Sequence, residues 1–206
     1  MDFDRERETE KKRELLHSII ATLQNENDKE VDVTKLSEAI FINFINTTPP
    51  EKKRHVMEFI VMGQMGRGGG ISTKPGNIQL NIGKLMDAIA SGVITIAGAV
   101  QLPWTAPLAA LMVWRSLVSS AQITLTETEG CVLYVMWVYK NQDRDIEKST
   151  LLNLCNNLLD KYDKPQLTQR GLNESLSALQ NIRAIETSPR NSAMWWLRER
   201  VQVTYR

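Results

Sequence analysis

Between Asp87 and Arg115 lie 27 consecutive residues, Ala88 to Trp114, without a charged side chain. Such a run has to be buried in protein or placed in lipid, because apolar surface left in water costs free energy in proportion to its area. Twelve of the residues are Ile, Leu, Val, Met or Trp and seven are Ala. About 20 predominantly apolar residues suffice for a transmembrane helix, so length alone admits a span. Pro103 and Pro107 oppose a continuous one, since each lacks a backbone N–H and clashes with the preceding turn. Division there leaves halves of about 13 to 16 residues, or about 20 to 24 Å as helix. A hydrocarbon core is about 30 Å thick, more than either half covers.

The first half, Leu85 to Gln101, places Leu85, Ile89, Val93, Ile96 and Val100 on one helical face, with Ala88, Gly92 and Ala99 beside it for close backbone approach. The second, Leu108 to Gln122, is apolar nearly all round until Arg115, which predicts burial on several sides. The pattern predicts a buried helix–turn–helix hairpin with Leu102-Pro103-Trp104 at the bend. A bilayer-inserting hairpin, a kinked span and a homo-oligomer interface are the other placements for Ala88 to Trp114.

Charge is distributed around this run. Residues 1–62 carry 10 Lys/Arg and 13 Asp/Glu, residues 63–125 carry 4 and 1, and residues 126–206 carry 11 and 10. A net charge of +1 gives no general argument for nucleic acid, whose phosphates are bound by clustered Lys and Arg. The opening MDFDRERETEKKRE is opposite in composition to a signal peptide, which predicts an intracellular, cytoplasmic protein. Cys131 and Cys155 match no metal or redox spacing and read as buried, reduced thiols. His17 and His55 lie in charged helical stretches without HExxH spacing. No catalytic constellation, metal site or cofactor site is predicted, and the chain reads as a non-enzyme.

The N-terminal part predicts a first helix over Asp4–Asn25, whose stripe Leu15, Leu16, Ile19, Ile20 and Leu23 packs on a neighbour while its first turns project into water. A second helix is expected over Thr34–Asn46. Thr48-Pro49-Pro50-Glu51 reads as the start of a third, with Thr48 as N-cap and Val56, Phe59 and Ile60 turned inward. Gly63 to Gly76 holds six glycines and one proline in fourteen residues, the composition of a linker or mobile loop. It completes neither GxGxxG, because Ile71 takes the last glycine position, nor a P-loop, because GK[ST] is missing. Ile78 to Ile82 alternates and predicts a short strand.

In the C-terminal third, Ile123-Thr124-Leu125 is strand-like and Thr126-Glu127-Thr128-Glu129 is a capping box. It predicts a helix over Glu127–Lys140, followed by helices over Ile146–Asp160 and from Thr168 through Leu172, Leu176 and Leu179. A turn at Ser188-Pro189-Arg190-Asn191 precedes an alternating strand, Ala193–Thr204. Trp195, Leu197, Val201 and Val203 share one face of that strand, and Trp196, Arg198, Arg200 and Gln202 share the other.

Three helices followed by a β-hairpin is the winged-helix order, and Ile123 to Arg206 resembles that superfamily at the level of fold. In that family the third helix commonly enters the DNA major groove. The resemblance implies contact residues Gln169, Arg170 and Asn173 on that helix and Arg190, Arg198 and Arg200 at the wing. Arg170 is opposed by Glu174, and no basic cluster accompanies it. Trp196 between arginines serves equally as a protein-interface anchor.

The expectation is therefore a mainly α chain in four parts: a helical unit at 1–62, a Gly-rich loop and short strand at 63–83, an apolar helical hairpin at 84–122, and a winged-helix-like domain with a small β-hairpin at 123–206. Its expected function is that of a non-enzymatic interaction subunit of a multi-protein complex, with a protein partner or a second copy. The charged first helix and Trp196 are the contact candidates. A winged-helix DNA-binding regulator and a small membrane-inserting effector using Ala88 to Trp114 are the alternatives.

Overall fold

A computed structural model describes residues 3–26, 32–52, 74–94, 102–117, 125–139 and 145–206. Among these residues the chain is mainly α, with seven helices and two small antiparallel sheets. The third N-terminal helix expected around Val56, Phe59 and Ile60, the glycines from Gly63 to Gly70, and Ile123-Thr124 fall outside the described residues.

Helix α1 (Arg5–Glu26) follows the predicted stripe: Leu15, Ile19 and Leu23 are buried. Its first turns are largely exposed, as the charge pattern predicts, and they are also tied to distant parts of the chain. The Asp4 amide donates to the Pro50 carbonyl (2.9 Å), Thr47 Oγ1 donates to Glu8 (2.9 Å), and Arg7 Nε donates to the Arg206 carbonyl (3.3 Å). Asp32 caps α2 (Val33–Phe44) by accepting from the Lys35 amide.

The expected helix start at Thr48 is a strand end instead. β1 (Ile45–Thr48) leaves α2 directly and pairs antiparallel with β2 (Gly76–Asn81), placing Thr48 opposite Asn77. Thr48 accepts from the Asn77 amide through Oγ1 and from the Tyr205 hydroxyl through its carbonyl, so the oxygen that would cap a helix holds the sheet together. Local cap chemistry lost here to β pairing across nearly thirty residues.

Helix α3 (Ile82–Ala90) begins where β2 ends, capped by Asn81, and buries Ile82, Leu85, Met86 and Ile89. It is shorter than the predicted Leu85–Gln101 helix: the chain turns at Ser91 and Gly92, whose φ of +74° is costly for any residue with a Cβ. Val93, expected on the buried face, is 78 % exposed as a result. Ile96 and Val100 lie outside the described residues.

The bend at Leu102-Pro103-Trp104 falls where the two prolines predict it and leads into α4 (Thr105–Leu117). Pro107 sits in the first turn, where its missing N–H has no helical acceptor to lose. Ala106, Ala109, Ala110, Leu111, Val113, Trp114 and Leu117 are all buried, which matches an apolar pattern without a polar side. Helix α4 packs on α1, α3 and α5 (Glu127–Val138). No helix among the described residues is long and apolar enough to cross a membrane.

The capping box sets α5 (Glu127–Val138): Thr126 accepts at the helix start and the Glu129 carboxylate accepts from the Thr126 amide (2.8 Å) and hydroxyl (2.5 Å). Gly130 lets α5 approach α4, since a Cβ there would stand 2.9 Å from the Trp104 carbonyl oxygen and 3.0 Å from Leu108 Cβ. Overpacking of this kind costs about 1–3 kcal/mol, more than the about 1 kcal/mol that Ala gains over Gly in a helix. Gly130→Ala is therefore expected to lower the urea midpoint, whereas an ordinary exposed helical glycine would raise it.

β3 (Asp145–Glu147) occupies the start of the stretch expected to be helical from Ile146, and α6 (Lys148–Lys161) and α7 (Gln169–Asn181) follow it. Thr168 caps α7 by accepting from the Gly171 amide (3.1 Å), as predicted. β4 (Ile185–Thr187), β5 (Met194–Leu197) and β3 form the second sheet, ordered β3-β5-β4.

The single strand expected over Ala193–Thr204 is divided. β5 ends at Leu197, and after Arg198-Glu199 the chain enters β6 (Arg200–Tyr205), which pairs with β2 in the first sheet, ordered β1-β2-β6. Arg198 donates its amide back to Ala184 (2.9 Å), while the Glu199 carbonyl accepts from Gly83 (3.3 Å), so the two residues face different sheets. Strands from 1–62, 63–83 and 123–206 thus share one sheet, and a single core cluster runs from Leu15 to Tyr205.

Candidate protein-docking interface

The sheet β3-β5-β4 sorts its side chains by parity. Ile185 lies opposite Leu197 and Ile146 opposite Trp195; Ile146, Ile185 and Leu197 are buried, so this face is turned to the core. The opposite face carries Glu147 beside Met194, and Trp196 between Asp145 on one flank and Glu186 on the other. Arg198 directs its guanidinium to the Glu186 carboxylate. Among the described residues this face sets three carboxylates and one arginine around a central aromatic, with Glu186 paired to Arg198.

Trp196 is half-buried, not exposed as its place among arginines suggested. Its indole N–H is enclosed and has no hydrogen-bond partner among the described residues. Arg200 does not flank it. It stands on β6 in the other sheet, level with Asn81, at a shallow cleft of about 340 Å³ shared with Asn43, Asn46, Gln79 and Lys84.

Gln169, Arg170 and Asn173 are exposed together on the first turns of α7. They are occupied with one another and with their own helix: Gln169 donates to Asn173 (3.4 Å), and Arg170 pairs with Glu174 (2.8 Å). The Glu174 hydrogen bond, aided by its charge, raises the Arg170 pKa further. Arg190 is exposed in the turn between β4 and β5, where its amide donates to Ser188 Oγ (3.3 Å).

Asp145, Glu147 and Glu186 were missed as neighbours of Trp196 because Asp145–Glu147 reads as the lead-in to a helix. Alternation about Ile146 is a signal of only three residues. Cys131 and Cys155, on separate helices, meet in the core: the hydrogen bond between them, and then burial, push the Cys155 thiol well above its ordinary value. That makes it a poor nucleophile. His17 is exposed on α1, and His55 lies outside the described residues. Among the described residues no group of three or more His, Cys, Asp or Glu is arranged to hold a metal ion.

No family model, curated protein or solved structure matches the chain.

Proposed function

We propose that the chain is a non-enzymatic assembly subunit of an intracellular, cytoplasmic complex, docking a protein partner through a winged-helix-like module at 126–197. The order α5-β3-α6-α7-β4-β5 and the strand order β3-β5-β4 support the module. One observation carries the choice of partner: Trp196 sits in the middle strand with Asp145 and Glu186 on either flank. A duplex approaching this face would bring phosphates against carboxylates, whereas a protein surface with an apolar contact ringed by Lys or Arg would be complementary. The DNA-binding alternative draws on the exposed Gln169, Arg170 and Asn173, but Arg170 is already paired with Glu174.

Fluorescence anisotropy with labelled duplexes tests this against the rival. No salt-sensitive binding is expected; binding that weakens with salt and disappears on reversing Arg198 and Arg200 would transfer the assignment to nucleic acid. For a partner recovered by cross-linking in the native cell, Trp196→Ala is expected to weaken affinity by about 30-fold, the scale of a central aromatic anchor. Unchanged affinity in that variant would remove Trp196 from the interface.

A further inference from the structure

The sheet β1-β2-β6 ends at β6, and the parity of the ladder decides what that edge offers. The Asn77 amide points toward β1, where it donates to Thr48 Oγ1 (3.2 Å). Gly76, Ile78 and Leu80 therefore turn their backbone groups toward β6. Their register partners Tyr205, Val203 and Val201 close the ladder, which leaves the amides and carbonyls of Arg200, Gln202 and Thr204 facing away from it. All three residues are exposed, and no further backbone hydrogen bond among the described residues engages them.

The other edge is different. In β1 the Ile45 amide is taken by the Phe41 carbonyl, and Thr47 is held by Glu8 of α1. β6 has no proline, no lysine and no bulge within its register, and its one charged residue, Arg200, stands at its first position. Its apolar row Val201, Val203 and Tyr205 has one open position. Val201 is fully buried, but Val203 is only half-buried.

We infer that β6 pairs antiparallel with β6 of a second copy of this chain, about a twofold axis at Gln202. This surface is separate from the one proposed for the partner above, and the inference does not rest on it. The strand is its own complement in that register: Gln202 faces Gln202 of the second copy, Arg200 faces Thr204, and Val201 faces Val203. Outward-facing backbone groups then meet outward-facing ones, polar side chains stay on the polar side, and the open flank of Val203 is covered. A shift of one residue would set valines against the amide face. The two Arg200 side chains start about 14 Å apart along the strands, farther than the about 8–10 Å over which exposed charges act at moderate salt. The product is a continuous six-stranded sheet.

The full chain is expected to be a dimer by light scattering across a dilution series. Gln202→Cys, under mild oxidation, is expected to give a covalent dimer, because Cα atoms in a hydrogen-bonded antiparallel pair lie about 5.5 Å apart, within disulfide reach. Asn46→Cys, on the same polar face at the far strand, is expected to give none. The native Cys131 and Cys155 are buried and do not compete. Gln202→Pro, which removes an outward N–H that the ladder does not use, is expected to halve the mass. A monomer that Gln202→Cys fails to cross-link overturns the inference. So does a dimer that survives Gln202→Pro, or one that Asn46→Cys cross-links as well as Gln202→Cys. Should Gln202→Pro fail to fold, the two cysteine variants decide alone.

Discussion

Trp114→Ala is expected to cost about 4–5 kcal/mol, close to the whole stability of many domains. Trp114 is fully buried on α4, and its indole Nε1 donates to the Ile182 carbonyl at the end of α7 (2.5 Å). Truncation removes an aromatic from a site walled by several helices, and it leaves a buried helix-terminal carbonyl without its donor. Trp114→Phe separates the two effects, since most of the volume stays while the donor goes. An expected loss of about 1–3 kcal/mol from the orphaned carbonyl and the smaller ring would appear as an intermediate urea midpoint. If Trp114→Phe matched the native midpoint, the tie between α4 and the end of α7 would be packing alone.

The second large effect is expected at Glu129. Its carboxylate is nearly enclosed, and it accepts from the Thr126 amide and hydroxyl through Oε2 and from Ser175 Oγ through Oε1 (2.9 Å). One side chain thus caps α5 and fastens α7 to it. Glu129→Ala removes the acceptor of all three donors and is expected to lose about 3 kcal/mol, combining the lost cap at exposed Thr126 with the buried, unsatisfied Ser175 hydroxyl. Ser175→Ala alone should cost about 1 kcal/mol. In the double variant the losses should fall short of additive, because Ser175 has nothing left to donate to once Glu129 is gone. Strict additivity in denaturant unfolding would mean that the Ser175 contact carries no energy.

The contrast between the two residues follows the division between local and distant information. The Thr126–Glu129 box was legible because its groups are three residues apart and act on one helix end. Thr168 before α7 and the proline bend at Leu102-Pro103-Trp104 were legible for the same reason. Thr48 shows the limit: its cap signature was real as a pattern, yet Asn77 and Tyr205 claimed its oxygens first. Of the proposed interface, Trp196 and Arg198 could be named from the sequence. Their acidic neighbours could not, since Asp145 and Glu186 reach Trp196 only through pairing across the β3-β5-β4 sheet.

The sequence by itself determined that this chain is mainly helical, where α1, α5 and α7 lie, and that the apolar run bends at Leu102-Pro103-Trp104 before α4. Those properties follow from side-chain periodicity and from caps that act within one turn. Only the tertiary structure decided that an alternating run at 193–204 breaks at Arg198-Glu199 and serves two sheets. Alternation specifies an extended strand and an inner face, but the backbone groups that hydrogen-bond strands together are the same in every residue except proline. Which strand β6 joins is therefore set by where Ile78, Leu80 and Tyr205 bury their side chains, and that is settled only when the whole core assembles.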